Sequence, residues 1–193
     1  DYTTTRYVRV VATEDDQSVF KIPEVTDNDG LIYRKFLIFK GSVCLDNKNR
    51  YIINYDDNTI TLTDTSDFLK KGRSLLFVFI KINRADAYGP LHVQPIYLYK
   101  YMDNKNPNEK SRVTSIPIPN YRNLDYNMKN IMLFVNDTFI SPRRYRIENN
   151  VLYFMNTKID GVVSGASLIF VLLRMSNELE DPTTDQGRII KEQ

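Results

Sequence analysis

Hydrophobic and polar residues alternate along this chain in short stretches, and clusters of Asn, Asp, Gly and Pro separate one stretch from the next. A period of two sends alternate side chains to opposite faces, so each stretch reads as a β-strand with one buried face. In the first half the pattern predicts strands at Arg6–Ala12, Ser18–Ile22, Arg34–Lys40, Val43–Leu45, Tyr51–Tyr55, Thr59–Thr63 and Ser74–Ile82. In the second half it predicts Ile96–Met102, Arg112–Ile116, Asn130–Val135, Thr138–Ile140, Tyr145–Glu148, Val151–Phe154 and Ser167–Met175. The last strand of each set is apolar at nearly every position, which predicts a central strand covered on both faces. Ser66–Lys71 reads as one helical turn, with Ser66 or Asp67 as N-cap and Gly72 as its stop. Asn149-Asn150 suits a two-residue type I′ hairpin turn, because both central residues there take positive φ.

The same landmarks occur twice, in the same order. Val19–Pro23 is matched by Val113–Pro117, Phe36–Ser42 by Ile131–Asp137, Arg50–Ile53 by Arg144–Ile147, and Gly72–Ile80 by Gly165–Leu173, at offsets of 93 to 95 residues. Two tandem copies of one unit follow, residues 1–84 and 96–175. A linker at 85–95 carries Gly89-Pro90 and Pro95, and a polar tail runs over 176–193 with a net charge of −3. The expected fold is all-β: two tandem duplicated β-sandwich or small-barrel units of about seven short strands each. The residues that define the repeat are Pro23, Phe39, Gly41, Tyr51 and Gly72 in one copy, and Pro117, Phe134, Asn136, Tyr145 and Gly165 in the other.

Composition supports the strands and narrows the chemistry. Val, Ile, Thr, Tyr and Phe are abundant, Asn and Asp supply turns, and the best helix formers are scarce. The longest unbroken apolar runs, Leu75–Ile80 and Leu168–Leu173, are far too short for a membrane-spanning helix. One cysteine, Cys44, and one histidine, His92, leave no internal disulfide and no site built on two imidazoles. A net charge of +2 is too mild to indicate nucleic acid. The chain opens on Asp1 and is expected to be a processed or truncated piece.

In order, the landmarks Ile22-Pro23, Leu37–Gly41, Arg50–Ile53, Thr59–Leu62 and Gly72–Phe79 resemble a repeat found in tailed-bacteriophage virion proteins of the tail-fibre, baseplate and connector type. Ile116-Pro117, Leu133–Asp137, Arg144–Ile147, Val151–Phe154 and Gly165–Val171 repeat the resemblance, which covers about three quarters of the chain. Lys40-Gly41 and Asn136-Asp137 stand where that repeat usually has Asn-Gly. The resemblance implies a non-enzymatic structural or adaptor role in a virion assembled in the host cytoplasm. Partners would be other virion proteins, further copies of the chain in a symmetric assembly and a host surface polymer, with no membrane, nucleic acid or cofactor. The alternative is a receptor- or carbohydrate-binding module at a phage tip or cell surface, using Tyr97, Tyr99, Tyr101 and Tyr121 as sugar platforms.

No catalytic or metal-binding set emerges from the residues. His92 lies in the linker, Cys44 alternates with apolar neighbours as a buried thiol does, and Asp27-Asn28-Asp29-Gly30 lacks the remaining ligands of a calcium loop. Asp15-Asp16 and Asp56-Asp57 read as solvated turn acids. Charge is uneven, since residues 95–175 carry +5 while residues 1–94 are neutral. The densest basic spot is Arg143-Arg144-Tyr145-Arg146, with Arg122 and Lys129 in the same half. Arg144 and Arg146 are expected on one strand face. Arg143, Arg144, Arg146, Arg122 and Tyr121 are the candidate partner contacts.

Overall fold

A computed structural model describes residues 5–81, 88–91, 93–102, 112–175 and 189–191, with the description at 93–94, 174–175 and 189–191 confined to the backbone. The chain is all-β and divides into two compact units, one ending at Leu91 and the other starting after it. In the first unit the strands are β1 (Thr5–Val11), β2 (Val19–Lys21), β3 (Lys35–Lys40), β4 (Val43–Cys44), β5 (Tyr51–Asn54), β6 (Thr59–Leu62), β7 (Ser74–Ile80) and β8 (Gly89–Pro90). In the second they are β9 (Val93–Tyr101), β10 (Ser115–Pro117), β11 (Ile131–Val135), β12 (Thr138–Ile140), β13 (Tyr145–Glu148), β14 (Val151–Phe154), β15 (Ser167–Met175) and β16 (Ile189–Lys191).

One pairing scheme serves both units. The larger sheet of the first runs β1-β7-β3-β4 and that of the second β9-β15-β11-β12; the smaller sheets run β2-β6-β5 and β10-β14-β13. Individual bonds correspond as well. Ile22 N–H donates to Asn58 O as Ile118 N–H does to Asn150 O, and Leu69 and Val162 each exchange two bonds, with Gln17 and Val113 respectively. In each unit the two sheets enclose one core and neither closes into a barrel. In the first, Phe36 meets Phe77 and Phe79 at ring-centroid distances of 5.4 and 5.7 Å. Burying each such ring contributes about 1.5–3 kcal/mol.

The last strands are central, as their runs of apolar residues require. Leu75–Phe79 and Leu168–Leu173 are buried throughout, and the faces turned away from the cores are buried too, at Phe39, Val78, Phe134 and Val171. Turn chemistry sets the hairpin registers. Asn149 and Asn150 have φ of 51° and 61°, and Asn136 and Asp137 of 48° and 65°, the pair of positive values a type I′ turn needs. At the matching β3–β4 turn Gly41 supplies the positive φ of 57°.

Several expectations shift. The helical turn is a 3₁₀ turn at Thr65–Asp67, capped by Asp64, whose carboxylate accepts from Ser66 N–H, because the cap must precede the turn by one residue. The matching of Ile22-Pro23 with Ile116-Pro117 is two residues out of register: the shared bonds align Phe20 with Ile116, and Pro23 with Pro119. The expected linker at 85–95 contributes strand at Gly89–Pro90 and again from Val93. Gly89-Pro90 pairs in parallel with Lys35-Phe36, and β9 starts at Val93, while residues 85–87 and His92 lie outside the described residues. From the expected tail, Ile189–Lys191 adds in parallel to the outer edge of β9.

Candidate interaction surface

The residue picked out most strongly by its arginine neighbourhood turns out to be a brace. Arg144 ends a 3₁₀ turn at Pro142–Arg144 instead of lying on the strand with Arg146, since Pro142 at the start of the turn favours helical φ. Its guanidinium Nε and Nη2 donate to Asp160 Oδ1 at 3.1 and 2.6 Å. The first unit holds the same brace. Arg50 Nε and Nη2 donate to the two oxygens of Asp67, each at 2.5 Å, a two-pronged match of guanidinium to carboxylate. Asp67 is buried, and Lys40 Nζ adds a longer contact at 3.8 Å. The pair holds the Arg50 guanidinium above its ordinary pKa, chiefly through the bond to Asp67.

The rest of the basic cluster is only partly available. Arg146 pairs with Glu148 at 2.8 Å and lies over the Tyr153 ring at 4.5 Å. Arg143 is exposed. Arg122, at a positive φ of 53°, lies over the Tyr121 ring, 5.4 Å from its centroid. Tyr121 itself is buried in the core, which removes it as a sugar platform; Tyr101 is exposed, and Tyr97 and Tyr99 are half-buried.

The remaining polar candidates are tied into local structure. Asp27 Oδ1 accepts from Asp29 and Leu31 N–H, and its other oxygen meets Lys81 Nζ at 2.6 Å. That arrangement is an Asx turn closed by a lysine, and no group of three metal-ligating side chains occurs among the described residues. The bond to Lys81 holds Asp27 below the usual carboxylate range. Burial pushes the Cys44 thiol up to about 12. Of the repeat-defining residues, Tyr51 and Tyr145 are buried at the start of matching strands, Phe39 and Phe134 are buried in β3 and β11, and Gly72 and Gly165 share positive φ.

Asn150 is a structural residue that its role in the hairpin turn did not reveal. Its Oδ1 accepts from Tyr126 N–H at 2.8 Å and its Nδ2 donates to Leu124 O at 3.0 Å, so one side chain also fixes the loop before β11. Two surface features remain. Val113, Met155, Ile159 and Val163 are exposed apolar residues around the 155–163 loop, which Arg112 ties down through a bond to Ile159 O. In the first unit, Val8–Val11 of β1 and the segment Lys21–Glu24 line an open groove of about 490 Å³ with Asn58 and Tyr88.

No protein-family model, curated protein or solved structure matches the chain.

Proposed function

We propose that the chain is a non-enzymatic structural component of a tailed-phage particle, in the tail, baseplate, fibre or connector, joined to its neighbours by protein–protein contacts. The observation that carries this reading is the edge of β9, which is completed in parallel by β16, a segment far along the chain. Completing a sheet edge with an extended segment is a general way of linking β-proteins. The polar residues support the same reading. Asp27, Asp67, Asp160 and Asn150 each hold a loop or turn in place, so their hydrogen-bonding capacity serves rigidity.

The test is immunogold electron microscopy with antiserum against the chain, applied to density-purified particles. Label at a fixed place on the tail or its attachment vertex is expected. Particles free of label, with the protein left in the unassembled fraction, would overturn the reading.

A further inference from the structure

The two units share their backbone bonds around one loop but not its surface chemistry. Thr63 N–H donates to Arg50 O as Met155 N–H does to Arg144 O, and Leu69 bonds Gln17 as Val162 bonds Val113. Val113, Met155 and Val163 therefore stand where the first unit has Gln17, Thr63 and Lys70. Ser66 N–H donates to Asp64 Oδ1 as Lys158 N–H does to Asn156 Oδ1. Asp67 follows Ser66 directly, whereas Ile159 is an extra residue between Lys158 and Asp160. Three positions that are polar in the first unit are thus apolar in the second, and a further apolar residue is added. Their exposures are 39% at Val113, 61% at Met155, 65% at Ile159 and 47% at Val163. The first unit makes the same bonds with polar residues, so the fold does not require apolar ones here. Aliphatic side chains clustered in water without a packing reason mark a contact surface.

We propose that this face of the second unit is a docking site for a segment of another protein that carries aliphatic residues among carboxylates. The proposal deepens the structural reading above, by naming one contact face and the chemistry of what it meets, and rests on it. Bonds between Val113 and Val162, and from Phe154 N–H to Thr114 O, hold the segments 112–114 and 154–163 side by side. The four aliphatic residues therefore gather around one loop. Exposed cations border them. Lys158 adjoins Ile159, Arg112 donates to Ile159 O, and Arg143 precedes Arg144, whose carbonyl accepts from Met155. In the first unit the corresponding residues are Ser66, Asp16 and Asn49, so the border differs in charge as well. The loop's one carboxylate, Asp160, is buried and held by Arg144, so it does not neutralise these cations. A partner with carboxylates around an aliphatic centre satisfies both halves of this surface. A second copy offering the same face would bring like charges together. A polyanion without apolar groups would leave the aliphatic residues in water.

Two measurements test this on the full chain. Three labelled synthetic peptides of equal length share one spacing of Leu and Ile, with Glu, Lys or Ser at the other positions, and binding is followed by fluorescence anisotropy. Saturable binding of the Glu peptide is expected, at least ~10-fold tighter than of the other two. Two variants should each weaken it at least ~10-fold, Val113→Gln/Met155→Thr/Val163→Lys and Arg143→Glu/Lys158→Glu. The first carries the residues with which the other unit already folds, and a thermal melt checks both. Equal binding of the Lys or Ser peptide, indifference to both variants, or no binding at all would overturn the proposal. Equal competition by polyphosphate would also overturn it, in favour of a charge-only site. A concentration-dependent dimer in sedimentation, abolished by the triple variant, would overturn it by giving the face to a second copy. In the second measurement benzoylphenylalanine takes the place of Ile159, purified particles are irradiated, and the joined peptide is sequenced by mass spectrometry. A segment of another protein with aliphatic residues among carboxylates is expected. A basic or wholly polar segment, or no cross-link in particles that contain the chain, would overturn docking. The structural reading has its own readout, because label on purified particles can persist whichever way these two results fall.

Discussion

Arg50 reaches across the unit to Asp67 with both prongs of its guanidinium, and Arg144 reaches Asp160 in the matching place of the other unit. Each arginine stands at the start of a hairpin strand, and each aspartate sits in the loop that follows the hairpin. The ion pair therefore fastens the loop leading to the central strand onto the smaller sheet. The two versions differ in burial. Asp67 and Asp160 have side-chain exposures of 4% and 11%, and their arginines of 34% and 46%.

The more buried, two-oxygen pair is expected to matter more. Asp67→Ala should lower stability by about 2–3 kcal/mol and Asp160→Ala by about 1–2 kcal/mol, because an uncompensated charge costs less where water reaches it. Urea melts of the two variants and of the Arg50→Ala/Asp67→Ala double variant check the order. Equal losses from both single variants would contradict it.

Asn150 combines a turn conformation with two side-chain bonds. Asn150→Gly keeps the positive φ but loses both bonds, an expected cost of about 1–3 kcal/mol. Asn150→Ala adds the left-handed strain of about 1 kcal/mol on top. Thermal melts should rank wild type above Asn150→Gly and Asn150→Gly above Asn150→Ala.

Cys44 should be a slow thiol in the folded chain. With its pKa pushed up by burial from the ordinary 9.0 to about 12, the native state disfavours the thiolate. Alkylation by iodoacetamide near pH ~8.5 is expected to be at least ~100-fold slower than in denaturant. The contribution of the neutral thiol is fully present below the unfolded value of 9.0 and is lost as pH rises through about 12.

Asp27 and Lys81 define the opposite limits. Asp27 is held below its ordinary 3.8, so its contribution is present above that value and lost as pH falls through the depressed one. Lys81 is raised above 10.5, so its share is present below that value and lost as pH climbs through the raised one. Asp27→Asn should flatten the acid limb of a stability–pH profile followed by chemical denaturation. An unchanged acid limb would show that the pair does not act in this way.

Gly161 has a φ of 145°, and a Cβ there would lie 2.8 Å from Arg112 Cβ and 3.0 Å from Val113 O. Gly161→Ala should displace the 112–114 segment from the 155–163 loop and cost about 1–3 kcal/mol. Faster amide exchange at Val113 and Val162, which bond each other across this contact, would report the displacement.

Strand positions were legible because alternation, apolar runs and turn residues act locally. Thr138–Ile140, Tyr145–Glu148, Val151–Phe154 and Ser167–Met175 match the observed bounds. The register of β10 was not, because Ile116-Pro117 and Ile118-Pro119 offer the same local pattern two residues apart, and only long-range bonds, such as those from Ile118 to Asn150 and between Val113 and Val162, choose between them. The ion pairs were hidden in another way. Arg50 and Arg144 were visible as a repeated landmark, but any of several carboxylates could have met them. Asp67 and Asp160 recur at nearly the same offset, and that was the signal available to find them. Arg144 instead read as a partner contact because its carboxylate lies sixteen positions away, and Tyr121 as a platform because exposure depends on what packs from elsewhere.

By itself the amino-acid order determined an all-β chain, its recurring landmarks, its central apolar strands and the turns that Asn and Gly impose. Each depends on residues within a few positions of one another, where side-chain period and backbone φ decide the outcome. Only the tertiary structure decided which aspartate each arginine grips, that Asn150 holds a second loop, and that β16 lies on β9. Those relations join residues far apart in sequence, and packing two sheets around a core is what brings them within hydrogen-bonding distance.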